Sequence, residues 1–232
     1  MRVTLGLDTA TPATALALVL ADGTTLEERD DPTPGEHPGH ATRLLPLAAG
    51  LLDRAGLDWG ELELIASGIG PGTFTGLRIG LASARGLAHS LQIPTSGVSS
   101  LAALAWPATQ TGQKRVLATL DARRGEVFVA AYDQTGELTR PSALSPEQLA
   151  DLVRGSAVGD GWLAVGDGAL RYREALLDAG VEIPPADSPL HLLKAGSVCE
   201  LAMRPDASTT RDLLPEYCRR PDAEIALEGA VT

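Results

Sequence analysis

The sequence repeats its opening pattern about halfway along the chain, and this repeat constrains the fold more than any other feature. Residues 3–20 read VTLGLDTATPATALALVL, and residues 116–133 read VLATLDARRGEVFVAAYD. Each segment has an apolar run that ends in Leu-Asp, then a polar turn and a second apolar run, which is typical of a β-hairpin. The repeat therefore predicts two similar lobes, each of which begins with a hairpin.

A glycine-rich turn also occurs once in each half. The segments LIASGIGPGTFTGLRIG (64–80) and WLAVGDGALRYREALLDAG (162–180) each indicate a buried strand, a tight turn and the start of a helix. Together with the hairpins, these turns predict an α/β protein with the two-lobed actin/hexokinase-like (ASKHA) fold, in which duplicated mixed sheets carry flanking helices. Pro107 and the polar stretch after it predict an N-lobe of residues 1–107 and a smaller C-lobe of residues 108–232.

Apolar periodicity predicts the principal helices. His40–Ala55 carries leucines at helical spacing, and Gly56 follows it as a left-handed cap. A second helix follows the glycine-rich turn over 74–89, and a short helix begins after Ser99 or Ser100 and ends before Pro107. A further helix is predicted within 192–205, whereas the terminal segment 224–232 is predicted to make no contacts.

The charge balance argues against a protein that binds nucleic acid by itself. The chain has 19 Lys and Arg against 30 Asp and Glu, which gives a formal net charge of −11. Affinity for nucleic acid comes mostly from cationic side chains that neutralise phosphates. We therefore expect any contact with RNA to be provided by a partner protein.

The cysteines, histidines and hydropathy favour a cytoplasmic protein without a metal site. Cys199 and Cys218 belong to no CxxC motif or Cys/His cluster, so neither a disulfide framework nor a zinc site is expected. His37 and His40 flank Pro38-Gly39, which indicates a loop, and no further ligand completes a metal set. No apolar run approaches the roughly 20 residues that a membrane helix needs.

The glycine-rich segment 68–80 allows two interpretations. Its glycines permit a close approach of the backbone, and exposed N–H groups at the start of a helix can bind an anion. Alternatively, the glycines only let a strand turn sharply into a packed helix. The segment matches neither GxGxxG nor the P-loop pattern, and no Lys follows it to reach a phosphate.

Small residues recur within the helix that follows this turn. Gly76, Gly80 and Ala84 fall at i, i+4 and i+8, although a glycine inside a helix costs about 1 kcal/mol relative to alanine. Close packing of a neighbouring element is the simplest reason for this stripe. That element belongs either to this chain or to a partner protein.

Three aspartates are candidates for a position near a nucleotide. Asp8 and Asp121 end the two matching strands, and Asp167 lies in the Gly-Asp-Gly turn of the second half. A carboxylate at such a position can face a metal ion or water near phosphates. The alternative is that Asp8 and Asp121 each close their own hairpin turn. The first loop also lacks the glycine with which phosphotransferases of this architecture approach a phosphate.

Motifs that carry a family resemblance occur in order along nearly the whole chain. They are His40 with LLP (44–46), and the segments LDTAT (7–11), GPGTFTGLRIG (70–80), GVSSL (97–101), DARRGEV (121–127) and PEY (215–217). The string GPGTFTGLRIG is the most specific of them. By these motifs the chain resembles the TsaB (YeaZ) family, the bacterial accessory proteins in the synthesis of threonylcarbamoyladenosine at position 37 of tRNA.

The resemblance implies a non-catalytic scaffold rather than an enzyme in its own right. In that machinery the paralogue TsaD binds the metal and transfers threonylcarbamoyl to N6 of adenosine 37 in tRNAs that read codons beginning with A. The implied partners are TsaD in a heterodimer, the ATPase TsaE and, when the protein is alone, a second copy bound through the same N-lobe face. Contact with tRNA is implied only through the complex. No cofactor is expected to bind this chain tightly, and ATP or ADP is expected at the interface of the complex.

The resemblance also implies a partner face on the N-lobe. This face would consist of the helix that begins at His40 and the small-residue helix after the glycine-rich turn. Phe74 and Leu77 are the candidate apolar anchors and Arg78 is the candidate polar contact. The other candidate interface residues are Gly72, Thr73, Thr75, Gly76, Gly80 and Ala84.

Two enzymatic functions are the alternatives. An ATP-dependent phosphotransferase for small molecules would use Asp8 and the glycine-rich turns, and it predicts tight binding of nucleotide by the isolated chain. A peptidase that acts on TsaD would need a nucleophile with its base. The sequence contains no recognisable catalytic triad for such a peptidase.

Overall fold

The first lobe is built on a mixed sheet of five strands. The structure, a computed structural model, describes residues 1–33, 35–112, 115–155, 161–210 and 212–219. The strands are β1 (Thr4–Asp8), β2 (Thr14–Val19), β3 (Thr25–Asp30), β4 (Leu64–Gly68) and β5 (Thr95–Val98), in the order β3-β2-β1-β4-β5. β1 pairs antiparallel with β2 and parallel with β4, so the predicted opening hairpin is confirmed.

The second sheet repeats this arrangement with four strands. They are β6 (Arg115–Arg123), β7 (Glu126–Asp133), β8 (Gly136–Leu144) and β9 (Trp162–Val165), in the order β8-β7-β6-β9. β6 pairs antiparallel with β7 and parallel with β9, just as β1 pairs with β2 and β4. The predicted duplicated, two-lobed α/β fold is therefore confirmed.

Helices cover both faces of the sheets. They are α1 (His40–Ala55), α2 (Phe74–Leu91), α3 (Ser100–Gln110), α4 (Pro146–Gly155), α5 (Asp167–Arg171), α6 (Arg173–Asp178) and α7 (Ala195–Ala202), with 3₁₀ turns at Trp59–Glu61 and Pro189–His191. In the first lobe α1 and α2 share one apolar core with β1 and β2, and α7 packs on the opposite face of that sheet. In the second lobe α3 covers one face, while α4, α5 and α6 lie on the other.

Helix α1 shows how the sequence pattern becomes packing. Leu44, Ala48, Leu51 and Leu52 are buried, and their spacing places them on one face of the helix. Gly56 ends the helix with a φ of 68°, and its N–H donates to carbonyls of the last turn. Both the predicted bounds of this helix and its left-handed glycine cap are confirmed.

Several predicted helix boundaries differ from the structure. Helix α3 continues through Pro107 to Gln110, because Ala108 and Thr109 beyond the proline are buried and their packing offsets the lost backbone hydrogen bond. The helix predicted after the second glycine-rich turn is divided at Tyr172 into α5 and α6. The helix predicted within 192–205 covers only the eight residues of α7. The terminal segment 224–232 lies outside the described residues.

The predicted boundary between the lobes at residue 107 stays a prediction. Two features of the structure concern the position of this boundary. Pro107 lies inside α3 rather than at a connection between elements. Helix α7, which comes late in the chain, packs on β1 and β2 of the first lobe. Part of the covering of the first sheet is therefore supplied by the second half of the sequence.

Candidate partner face and interlobe cleft

Asp8 lies at the end of β1 and is closed off from solvent. Its side chain accepts hydrogen bonds from the backbone N–H of Ala10 over 2.7 Å and from the hydroxyl of Ser100 over 2.6 Å. The residue is only 1% exposed. Burial raises the pKa of this carboxyl to about 6, although both hydrogen bonds oppose the rise. The bond to Ala10 is the turn-closing contact that was the alternative interpretation of this residue.

Asp121 and Asp167, the other two candidates, lie together in the second lobe. The backbone N–H of Asp121 donates to Asp167 over 2.9 Å. The Asp121 carboxylate itself closes the hairpin turn by accepting from the N–H of Arg123 over 2.9 Å, and it forms an ion pair of 3.0 Å with Arg171. Burial raises the pKa of Asp167. The carboxylates of both aspartates are therefore engaged within the protein, and their contacts do not include Asp8.

A cleft of about 400 Å³ separates the two lobes beside the glycine-rich turn. Its walls are residues 71–74 of that turn, residues 121–124 of the β6–β7 turn, Phe128, and the C-terminal segment 216–219. Two of its arginines are paired with carboxylates, Arg123 with Asp121 at 3.6 Å and Arg219 with Glu126 at 2.8 Å. Its cationic groups are thus partly neutralised before any ligand binds.

An exposed cluster of two aromatic rings and an arginine lies at the edge of this cleft. The Arg78 guanidinium carbon lies 3.7 Å from the centroid of the Phe74 ring, which lies 5.7 Å from the centroid of the Tyr217 ring. Arg78 also donates from Nε to the Tyr217 hydroxyl over 3.5 Å. Phe74 is 40% exposed and Tyr217 is 44% exposed. Sequence reasoning singled out Phe74 and Arg78 but missed Tyr217, whose only signal was the PEY motif near the end of the chain.

The small-residue stripe of α2 faces the interior of the chain, which corrects the prediction that it meets a partner. A side chain added at Gly76 or Gly80 would collide with Thr9 of the first hairpin turn. The Thr9 hydroxyl also donates to the carbonyl of Gly76 over 2.8 Å. Ala84 is fully buried and belongs to the core of the first lobe. These three residues therefore allow α2 to approach its own sheet.

Two further residues of the predicted partner face are also buried. Leu77 is 1% exposed and His40 is 3% exposed. The Nδ1 atom of His40 lies 2.8 Å from the hydroxyl of Thr14, and burial lowers the pKa of its imidazole, so the ring is neutral at pH 7. The expectation that His40 and Leu77 contact a partner is corrected, because both pack inside the first lobe.

The remaining predicted residues surround the N-terminus of α2. Thr73 precedes the helix and donates its N–H to the carbonyl of Ala10 over 2.8 Å. Gly72 and Thr73 are partly exposed, whereas Thr75 and Arg78 are exposed. The structure thus brings Gly72, Thr73, Phe74, Thr75 and Arg78 together at one end of α2.

The outward surfaces of α1 and α2, which pack side by side, carry small and apolar side chains that sequence reasoning missed. On α1 they include Leu45, which is 48% exposed, and Gly50; on α2 they include Ala82 and Gly86. A side chain added at Gly50 or Gly86 would meet no atom within 4 Å. We call this surface, formed by Leu45, Pro46, Ala49 and Gly50 with Ala82, Ser83 and Gly86, the α1–α2 face. The signal that could have found it is a second helical spacing of small residues on α2, offset from the buried one.

Neither a metal site nor a membrane-spanning helix occurs among the described residues. No three His, Cys, Asp or Glu side chains lie close enough together in the described ranges to hold a metal ion. None of the helices in this part of the chain is long and apolar enough to cross a membrane.

Comparisons with known proteins match the chain both to a TsaD family model and to proteins named TsaB. The family model described as "TsaD: tRNA N6-adenosine threonylcarbamoyltransferase" matches residues 36–227. The chain is similar to the tRNA threonylcarbamoyladenosine biosynthesis protein TsaB of Escherichia coli, with 34% identity over 99% of each chain. It is also similar to TsaB of Haemophilus influenzae, with 32% identity over 69% of this chain and 72% of that protein.

A solved structure shares both sequence and fold with this chain. The structure of YeaZ from Pseudomonas aeruginosa superposes with a TM-score of 0.74 and is 34% identical. The match covers 94% of this chain and 100% of that one. The likeness therefore includes both lobes.

Proposed function

Because the chain belongs to the TsaB (YeaZ) family, we propose that it is the non-catalytic subunit of the machinery that makes threonylcarbamoyladenosine in tRNA. In this role it is required, together with TsaD and TsaE, for transfer of the threonylcarbamoyl group to N6 of adenosine 37 in tRNAs that read codons beginning with A. It forms no bond of the product itself, and it contacts tRNA only through the complex. Its place of action is the cytoplasm.

The α1–α2 face is the observation that carries this proposal. Two outward glycines on neighbouring helices, Gly50 and Gly86, leave room for the backbone of another helix to approach closely. Leu45, on the same helix as Gly50, supplies exposed apolar area that contact with a partner would bury. We infer that TsaD binds here, and that a second copy of this chain occupies the same face when TsaD is absent.

The cluster of Phe74, Arg78 and Tyr217 extends this face towards the interlobe cleft. Exposed aromatic and arginine side chains are the residue types that carry most binding energy at protein interfaces. The three side chains already contact one another, so little conformational freedom is lost when a partner covers them. They are therefore the proposed anchor at the end of α2.

The state of the aspartates supports a scaffold rather than a phosphotransferase. The Asp8 carboxylate is buried under Gly68 and Ser100, where it can neither hold a metal ion nor order a water beside a phosphate. The carboxylate of Asp121 is paired with Arg171. We propose accordingly that this chain alone binds no nucleotide tightly, and that ATP or ADP binds at the interface of the assembled complex.

The proposal is tested by blocking the α1–α2 face without disturbing the fold. Gly50→Arg and Gly86→Arg each place a long, charged side chain into open space on the face. Gly60→Arg is the matched control, because Gly60 is also exposed and unobstructed but lies in the 3₁₀ turn Trp59–Glu61, outside the face. Tagged variants are co-expressed with TsaD and purified.

The expected result is loss of TsaD from both face variants and wild-type recovery with Gly60→Arg. Circular dichroism melting curves of the purified chains establish that all three variants are folded. Recovery of TsaD at the wild-type ratio with both Gly50→Arg and Gly86→Arg would contradict the proposed interface.

A further inference from the structure

A pocket of about 210 Å³ lies in the second lobe, away from both the α1–α2 face and the interlobe cleft. Leu117 and Ala131 of the second sheet form its floor, and Leu152 and Val153 of α4 form the facing wall. Leu138, which is 44% exposed, lies at its edge. The lining is therefore mainly apolar, as is usual for pockets that take small molecules.

An outermost strand of the second sheet, β8, pairs irregularly with β7 where it borders this pocket. Tyr132 of β7 pairs with Glu137, and Ala131 pairs with Thr139, so Leu138 between them is an extra residue without a partner. The hydroxyl of Thr139 accepts the backbone N–H of Ala131 over 2.9 Å in place of a regular ladder bond. Such bulges re-aim side chains and are common beside binding sites.

Two hydrogen-bond donors of the lining have no acceptor in the part of the chain that the structure describes. Within the described residues, Nε1 of Trp162 and Nη1 of Arg115 are buried and make no hydrogen bond. The Arg115 guanidinium carbon lies 5.4 Å from the centroid of the Trp162 ring, so the two donors share one wall of the pocket. Trp162 is only 8% exposed. Buried donors are nearly always paired in proteins, so two neighbouring unpaired ones point to a missing acceptor.

The charge at this wall is positive. The ion pairs found among the described residues do not include Arg115. Arg115 is the single charged side chain among the described residues that line the pocket. The charge of Asp133 interacts with that of Arg115, but Asp133 does not line the pocket, and its Oδ1 atom accepts from the N–H of Thr135 over 2.7 Å and from the hydroxyl of that residue over 2.6 Å. The missing acceptor is therefore best supplied by an anion.

We propose that this pocket binds a small carboxylate with an apolar body. The carboxylate accepts hydrogen bonds from the guanidinium of Arg115 and the indole of Trp162, and the apolar body packs between Leu117 and Leu152. A guanidinium presents a planar fork of donors that matches the two oxygens of a carboxylate. The site is independent of the proposed role with TsaD, because none of its residues belongs to the α1–α2 face.

Hexanoate is the probe that tests this proposal, and 1-hexanol is its uncharged counterpart. Isothermal titration calorimetry with the full chain measures both affinities, and the indole N–H signal of Trp162 in a ¹⁵N correlation spectrum reports on the site. We expect hexanoate to bind with a Kd on the order of 1 mM or tighter, at least about tenfold more tightly than 1-hexanol, and to shift the Trp162 signal.

Three variants connect the binding to the two donors. Arg115→Gln removes the charge and should reduce hexanoate binding to the level of 1-hexanol, and Trp162→Phe removes the N–H and should weaken binding severalfold. Arg154→Gln, on an exposed part of α4, is the matched control and should bind as the wild type does. The proposal is overturned if hexanoate does not bind, if 1-hexanol binds equally well, or if Arg115→Gln retains wild-type affinity in a chain with an unchanged melting curve.

Discussion

Ser100 donates a hydrogen bond of 2.6 Å to the carboxylate of Asp8 and so joins the first turn of α3 to the end of β1. The two residues are 92 positions apart in the sequence, and both are buried. Gly68 on the neighbouring strand leaves no room for a side chain beside the carboxylate. Asp8 therefore links the end of a strand to the start of a helix inside the protein.

Burial of Asp8 makes folding stability depend on pH. The pKa of Asp8 is about 6 in the folded protein, against 3.8 for the unperturbed carboxyl, so the folded state favours the protonated form. The preferred protonation of folded Asp8 adds to the free energy of unfolding. This addition is fully present below pH 4 and is lost as the pH rises through 6. The shift corresponds to roughly 3 kcal/mol at most. In urea unfolding experiments, the free energy of unfolding of the wild type should fall between pH 4 and pH 8. The Asp8→Asn variant should lose most of this pH dependence.

Gly80 and Gly86 should respond to the same substitution with opposite signs. Gly80→Ala adds a methyl group against Thr9 in a packed interior and should destabilise the fold by about 1–3 kcal/mol. Gly86→Ala adds it to an open helix surface and should stabilise by about 0.5–1 kcal/mol. Denaturant unfolding of both variants measures the difference. Equal effects at the two positions would show that the assigned faces of α2 are wrong.

Helix α2 shows which part of the candidate site could be predicted from the sequence and which part could not. The repeated hairpins and glycine-rich turns predicted the two lobes correctly, because strand and turn patterns are local. The small residues of α2 occur on two sides of the helix, however, and the 3.6-residue period does not say which side meets the sheet. That choice depends on Thr9, which lies 67 residues from Gly76 in the sequence but donates to its carbonyl. Tyr217 was missed for the same reason, since only folding brings it to Phe74.

Removing the Phe74 ring should weaken binding to TsaD while the fold is retained. Phe74 is exposed, so Phe74→Ala leaves no core cavity, but it removes the ring on which Arg78 stacks. We expect a loss of about tenfold in affinity, as is typical for an aromatic anchor at an interface. Surface plasmon resonance against immobilised TsaD measures it. Tyr217→Phe keeps the ring and serves as the comparison, for which a change below about threefold is expected.

The two cysteines should differ sharply in their reactivity. Cys199 is fully buried in α7, and burial raises the pKa of its thiol strongly, so almost none of the reactive thiolate is present. Cys218 is partly exposed, although burial still raises the pKa of its thiol to about 12. Iodoacetamide at pH 8 should modify Cys218 slowly and Cys199 only in urea. Peptide mass spectrometry distinguishes the two sites, and rapid labelling of native Cys199 would contradict the described packing of α7 on the first sheet.

Reconstituted threonylcarbamoylation of unmodified tRNA tests the scaffold role most directly. TsaD, TsaE and the enzyme that forms the threonylcarbamoyl adenylate are supplied, and this chain is added as wild type, Asp8→Asn, Gly86→Arg or Gly60→Arg. A scaffold that acts through the α1–α2 face predicts activity that requires the chain, survives Asp8→Asn and Gly60→Arg, and is lost with Gly86→Arg. Loss of activity with a folded Asp8→Asn chain that still binds TsaD, or full activity with Gly86→Arg, would contradict it.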